Sequence, residues 1–311
     1  EKKFKVNGTI TQAKDSILYL ENMSLSGPRT VDSVKLDESG NFEFSYKAAP
    51  APEFYRLRIA NQIVNIGVDS TETINVKAAY PTMSANYEVS GSEECAKIRE
   101  LAYMQLALQN KVTAIANSNS LGVAAVEDSV AKVLDVYKNK VKMDYIFKEP
   151  MKAYAYYALF QTVQLGNANM LIFNPRSNKE DVKVFAAVAT SWDTYFPEAE
   201  RGLNLHNIAI EGMKNVRIAE NNARQTISAD KVQVAGLIDI ALTDNHGRVR
   251  KLSDLKGKVV LLDFHAFAVE GSLKRIMMMR EIYNKYHDRG LEIYQVSFDP
   301  EEHFWKTKTA A

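Results

Sequence analysis

Ser253-Asp-Leu-Lys-Gly-Lys-Val-Val-Leu-Leu-Asp-Phe264 is the stretch whose reading decides the architecture of the last third of this chain. From Lys258 to Phe264 the run is apolar almost without interruption, which suits a parallel strand covered on both faces. Leu273 to Tyr286 then follows helical spacing, Gly290 closes that helix as a C-cap, and Leu291 to Phe298 forms a second strand. Strand, helix and strand make one β-α-β unit, in which parallel strands are joined right-handedly. Just upstream, Leu237 to Leu242, the turn Asp244-Asn-His-Gly247 and Arg248 to Lys251 predict a hairpin.

Working outward, the N-terminal residues alternate with period two. Phe4 to Ile10, Ser16 to Leu20, Val31 to Leu36, Asn41 to Tyr46, Phe54 to Ile59, Ile63 to Ile66 and Glu72 to Val76 read as short strands. Asp37-Glu-Ser-Gly40 supplies a hairpin turn, and Ala48-Ala-Pro-Ala-Pro52 is a stiff connector within the same region. Such a series favours a small β-sandwich or barrel. At Ser92 the period changes to about 3.6. Ser92 is placed to cap a helix that Glu93 and Glu94 favour through its dipole. Its buried stripe is Cys95, Ile98, Leu101, Gln105, Leu108, Val112 and Ile115. A second stripe runs from Val123 through Val130 and Tyr137 to Tyr145. Met151 to Leu165 is apolar nearly all round and reads as a buried helix. Asn178 and Asp181 open a further helix that Pro197 stops, and Glu198 to about Arg224 forms a polar last one. The expected fold class is multidomain α+β: a β-sandwich-like domain over 1–90, an all-helical domain over 91–230 and a partial α/β segment over 231–311.

The chain has 311 residues, 46% hydrophobic and 25% charged, with a formal net charge of +1. That balance is globular, and no basic stripe points to nucleic acid. The longest apolar runs fall far short of a membrane span. Cys95 is the only cysteine in the sequence, so an intramolecular disulfide or a zinc site of several thiolates is excluded by counting. No phosphate loop, nucleophile elbow or His-Glu-x-x-His signature occurs, and no cofactor or metal is expected.

The Ser253–Phe264 stretch resembles the leading strand of the TlpA-like and AhpC/TSA thioredoxin families. There a run of the form Leu-x-Asp-x-Lys-Gly-Lys-x-Val-x-Leu-x-Asp-Phe precedes Trp-Ala-x-Trp-Cys-x-x-Cys. Tyr283-Asn-Lys-Tyr286, Gly290 and Glu292 to Asp299 extend the resemblance, which covers about Gly236 to Trp305. It implies a thioredoxin-like fold and places Val269 and Ser272 at the two cysteine positions, within His265-Ala-Phe-Ala-Val-Glu-Gly-Ser272. A thioredoxin nucleophile is a thiolate activated at a helix N-terminus, and a second thiol resolves the mixed disulfide. Valine and serine do neither, and no base stands at an obvious sequence spacing from Ser272. Asp263 matches the buried acid that relays protons behind the thiols in many thioredoxins; without thiols it reads as a polar residue at a strand end. Redox inactivity is therefore the expectation.

The N-terminal strands and helices resemble the β-domain and helical connector of uncharacterised function found before thioredoxin-like domains in bacterial envelope proteins. The Val-x-Gly-x-Ile start, the Asp-x-x-Gly-x-Phe-x-Phe hairpin and the domain order carry that resemblance. It implies an exported protein of the periplasm or outer envelope, with a lipid anchor at a removed N-terminus and an envelope protein or peptide as partner. Family members continue with a cis-proline, a hairpin and a final helix, so the chain is expected to extend beyond Ala311.

Several residues carry a functional reading beside a structural one. His265 and Glu270 flank the motif position as a potential acid–base pair, yet Glu270 equally suits the first turn of a helix. Ser272 reads as a first-turn hydrogen-bonding residue and Cys95 as small core filler. Met277, Met278 and Met279 occupy consecutive helical positions and cannot face one ion. Tyr154, Tyr156, Tyr157 and Phe160 are of the type that grips a sugar or peptide, but on a buried helix they read as core. His206, His246, His287 and His303 lie apart without ligand spacing. The expected function is an envelope binding or scaffold protein. The alternatives are a thiol–disulfide oxidoreductase or peroxidase, with Cys95 acting between molecules or with cysteines beyond Ala311, and a carbohydrate or peptide binder.

Overall fold

The computed structural model describes residues 1–224, 238–267 and 271–299. Val269, Glu270, His303 and the start of the expected Leu237 strand lie outside the described residues. The chain divides into two compact units, one of 1–114, 131–163 and 169–224, the other of 115–130, 164–168 and 225–311.

The first unit begins with eight strands in two four-stranded sheets. Strands β1 (Lys3–Thr11), β4 (Asn41–Lys47), β7 (Thr73–Ala79) and β8 (Tyr87–Ser90) form one sheet in the order β4-β1-β7-β8. Strands β2 (Ile17–Ser24), β3 (Gly27–Lys35), β5 (Glu53–Ile59) and β6 (Gln62–Val68) form the other in the order β3-β2-β5-β6. Pairing is antiparallel except between β1 and β7, which run parallel. The two sheets share one core: Phe4, Val6 and Ile10 from β1 meet Leu18, Leu20, Leu57 and Ile66 from the facing sheet. Each such side chain contributes about 1.5–3 kcal/mol by leaving water, which is how strands with alternate apolar positions hold a fixed register. In the Asp37–Gly40 turn the Asp37 carboxylate accepts from the backbone N–H groups of Ser39 and Gly40 at 2.9 and 3.2 Å. Gly40 adopts φ +71.

Helix α1 (Glu93–Ala116) starts where the period changes, and the Ser92 hydroxyl accepts from the Cys95 N–H at 3.1 Å. Cys95, Ile98, Leu101, Leu108 and Val112 are buried positions of the stripe that the sequence predicts. Helix α2 (Val123–Val141) runs into a π-helical turn over Lys142–Ile146, which keeps Tyr145 and Ile146 buried. The expected Met151–Leu165 helix is shorter. Helix α3 covers Ala153–Leu159, and Thr162–Leu165 instead pairs with Ala168–Leu171 as the hairpin β9–β10. β-Branched Thr162 and Val163 favour the strand, and Gly166 takes the positive φ of the turn. Helix α4 (Lys179–Tyr195) opens on Asn178, whose side chain accepts from the Asp181 N–H at 3.1 Å. Helix α5 (Glu200–Arg224) lies so close to its neighbours that a Cβ at Gly212 would stand 2.2 Å from the Pro175 carbonyl oxygen. Trp192, Phe185 and Phe173 are fully buried in this helical part.

In the second unit β11 (Ala241–Thr243) and β12 (Val249–Lys251) form the predicted hairpin across Asp244–Gly247. Strand β13 (Val259–His265), helix α6 (Ser272–Tyr286) and strand β14 (Leu291–Ser297) form the β-α-β unit, with β13 and β14 parallel. Gly290 has φ +93 at the turn into β14. Val259 and Phe264 are 70% and 50% exposed among the described residues, whereas the apolar run reads as a strand covered on both faces.

Candidate functional site

The parallel register places Asp263 opposite Gln295 and His265 opposite Ser297. Helix α6 starts after Gly271, in the left-handed conformation at φ +86, and delivers Ser272 as its first residue. The Ser272 hydroxyl and the His265 Nε2 are 2.8 Å apart. All three of Asp263, His265 and Ser272 are buried, at 2%, 3% and 5% exposure. The sequence spacing shows no base for Ser272; the fold supplies one from the strand before the helix.

Asp263 is the hub of the cluster. Its Oδ2 accepts from the Gln295 amide at 2.8 Å, and its Oδ1 accepts from Arg275 Nε at 3.2 Å and from Arg275 Nη2. Its Oδ2 also lies 3.8 Å from His265 Nδ1. Burial alone would raise the carboxyl pKa, but hydrogen bonds from Gln295 and Arg275 and the charges of Arg275 and His265 outweigh it and hold it below the usual range. The His265 ring also meets Phe267 edge-on at 4.4 Å, and the Asp299 carboxylate accepts from the Phe267 N–H at 2.8 Å.

Serine, histidine and aspartate are the side-chain types of a hydrolytic triad. The geometry differs from one. At 3.8 Å the Asp263–His265 approach is longer than a hydrogen bond. Both carboxylate oxygens already accept from Gln295 and Arg275. The arrangement is a buried polar network at a helix N-terminus.

Arg275 and Gln295 escape a residue-by-residue reading. Both are recoverable from pattern: Arg275 lies one helical turn after Ser272, and aligning Val259 with Leu291 pairs Gln295 with Asp263.

The other candidates fall elsewhere. Cys95 is 1% exposed; its thiol donates to the Gly67 carbonyl at 3.2 Å, and burial pushes its pKa up to about 11. Met279 is buried while Met277 is exposed. His206 meets Asp193 at 3.1 Å, and His287 lies between Tyr283 and Glu292. Among the described residues no group of three metal-ligating side chains converges, and no helix is long and apolar enough to cross a membrane. Tyr154 is buried and donates to Glu149 at 2.7 Å. Tyr156, Tyr157 and Phe160 instead line a cavity of the first unit.

A β-α-β unit entered by a Lys-Gly-Lys strand, with a buried acid behind the N-terminus of the intervening helix, is thioredoxin-like. Comparison with known proteins finds that residues 235–311 match the AhpC/TSA family. Residues 4–97 match a domain of unknown function, DUF4369. The chain is 36% identical over 64 residues to thiol-disulfide oxidoreductase ResA of Bacillus cereus, covering 21% of this chain and 37% of that protein. It is 52% identical to an uncharacterized thioredoxin-like protein from Bacteroides vulgatus solved in solution, covering 24% of this chain and 48% of that one, with a TM-score of 0.23. The chain thus spans well under two thirds of either relative.

Proposed function

We infer that this chain is a binding or scaffold protein of the bacterial envelope whose thioredoxin-like segment takes no part in thiol–disulfide exchange. The observation that carries the reading is the Ser272–His265 hydrogen bond of 2.8 Å at the start of α6. The family resemblance assigns a resolving cysteine to that position, and here a buried hydroxyl fills it, hydrogen-bonded to His265. A hydroxyl is not a disulfide reagent, because its conjugate base is inaccessible near neutral pH. Cys95, the only thiol in these residues, lies in the other unit with its thiol pKa raised. The three domains at 1–90, 91–230 and 231–311 and an extracytoplasmic location belong to the same proposal, supported by the resemblance to exported envelope proteins.

Insulin reduction in the presence of dithiothreitol tests the redox part. The chain is expected to give the rate of dithiothreitol alone. Turnover above that rate that disappears in Cys95→Ser would overturn it. Fractionation of cells producing the full-length protein tests the location, and recovery in the cytoplasm would refute it.

A further inference from the structure

The first unit holds a cavity of about 580 Å³ walled by strands β5 and β6, helices α1 and α3, the start of β9 and helix α5. That volume lies inside the range of about 300–1,000 Å³ of small-molecule sites. One wall is aromatic. Phe54 and Tyr156 stack at 5.1 Å with planes 28° apart, and Tyr156 meets Phe160 at 4.9 Å. These rings are fixed from behind, because Tyr156 also packs on buried Trp192 at 5.2 Å and Phe160 meets Phe185 edge-on.

Carboxamides line the same cavity. Asn65 donates to the Tyr157 hydroxyl at 3.2 Å, and Gln105 donates to the Thr162 carbonyl at 2.6 Å. Gln161 donates to Leu101 O at 3.0 Å and to Gln105 Oε1 at 3.2 Å, while accepting from the Tyr137 hydroxyl at 2.8 Å. Each primary amide has two N–H donors and two acceptor lone pairs, so this chain orients Asn65 and Gln105 without exhausting them. Asn204 of α5 lines the same cavity. The one charged side chain, Arg201, lies over Phe54 at 5.0 Å and is neutralised by Glu53, to which its Nε donates at 2.9 Å. The one charge of the lining is thus already paired with a carboxylate outside it.

Flat rings sharing one cavity with oriented, uncharged donors and acceptors suit a ligand with one apolar face and a rim of hydroxyls. A cationic ligand would find no acid in the lining and an anionic one only an arginine already paired with Glu53, while an acyl chain would use none of the donors and acceptors that the amides have left. We propose that this cavity is a binding site for a neutral sugar, its ring laid on the aromatic wall at Phe160 and its hydroxyls bonded by Asn65, Gln105 and Asn204. The inference deepens the binding reading given above and rests on it, but uses none of the thioredoxin-like residues.

Saturation-transfer NMR on the full chain, with glucose, galactose, N-acetylglucosamine, maltose and chitobiose as probes, tests it. Glucuronate and a capped tetra-alanine peptide serve as the charged and peptide comparators. At least one neutral sugar is expected to bind saturably below about 10 mM, with Asn204→Ala weakening it about tenfold and Asn204→Trp abolishing it. Asn204 is partly exposed on α5, so both variants keep the wild-type unfolding midpoint, which is measured alongside. Saturation by no neutral sugar, saturation by the peptide alone, or binding unchanged in Asn204→Trp overturns the site. Insulin reduction on the same samples separates the two readings. Reduction by the chain refutes the redox-silent binding protein, whereas absent sugar binding with insulin unreduced refutes this cavity alone.

Discussion

The backbone N–H of Tyr154, at the start of α3, donates to the Glu94 carboxylate in the first turn of α1 at 2.9 Å. Glu94 is 5% exposed, and Lys152 approaches its other oxygen at 3.8 Å. Burial is the largest influence on this carboxyl. The Tyr154 hydrogen bond and Lys152 lower its pKa, Asp69 and Glu72 raise it, and the sum pushes it up to about 7.

That value fixes the sign of a pH effect. The folded chain keeps a proton on Glu94 that the unfolded chain releases near the ordinary glutamate value of 4.5. Stability is therefore lost as pH rises from about 4.5 to about 7 and stays lost above that. Glu94→Gln keeps an acceptor for Tyr154 and carries no charge. It is expected to gain up to about 3 kcal/mol over the wild type at about pH 8 and little at about pH 4.5. Urea unfolding at both pH values measures this; a difference of the same size at both would count against it.

Gly8 of β1 has φ +148, and a Cβ there would stand 1.8 Å from the Val76 carbonyl oxygen of β7. The parallel pair at the centre of its sheet can close only with hydrogen at that position. Gly8→Ala is expected to lose more than about 3 kcal/mol or fail to fold. Gly27, at φ +118 with nothing within 4 Å of its Cβ position, tests backbone strain alone, and Gly27→Ala should cost about 1 kcal/mol. Denaturant midpoints of the two variants are the measurement, and equal losses would contradict the steric argument.

Asp263→Ala strips the acceptor from Gln295 and Arg275 inside the second unit and is expected to cost about 3 kcal/mol. Arg275 is half-exposed, so Arg275→Ala should cost about 1 kcal/mol, discounted for solvent screening. Because the Asp263 pKa is depressed in the folded state, its contribution is present above the unfolded value of about 3.8 and disappears as pH falls below it. Hydrogen exchange of the β13 amides should show the order Asp263→Ala, Arg275→Ala, wild type, with protection in the wild type falling below about pH 4. A variant order reversed, or protection unchanged by acid, would argue that the network does not hold the strands together.

A fluorophosphonate probe should leave the native chain unlabelled, since Ser272 is buried and Asp263 is not hydrogen-bonded to His265. Labelling that Ser272→Ala removes would make the serine a nucleophile after all.

Much of this was legible in the residues. Asp37 and Gly40 mark their turn, Ser92 marks the start of α1, and the apolar β13 run announces a parallel strand. These are signals of local conformation or of a repeating face. The Met151–Leu165 segment was not legible, because a short run apolar throughout has the same periodicity whether it is a helix or a helix followed by a strand. The site was half legible. His265 and Ser272 stand out by position in the motif, but their contact depends on the helix turning back over the strand. Arg275 and Gln295 join Asp263 only when helical spacing from Ser272 and the pairing of Val259 with Leu291 are combined, which neither segment shows by itself.

Cys95 has a use that follows from its sealing. Its thiol is 1% exposed, and it is the sequence's only cysteine. A thiol reagent in solution therefore meets it only during moments when α1 parts from the sandwich. The rate of modification becomes a clock of those openings, read without introducing a label. Slowed by a sugar at Asn204 or hastened by Gly8→Ala, that clock would report on the first unit while remaining blind to the second.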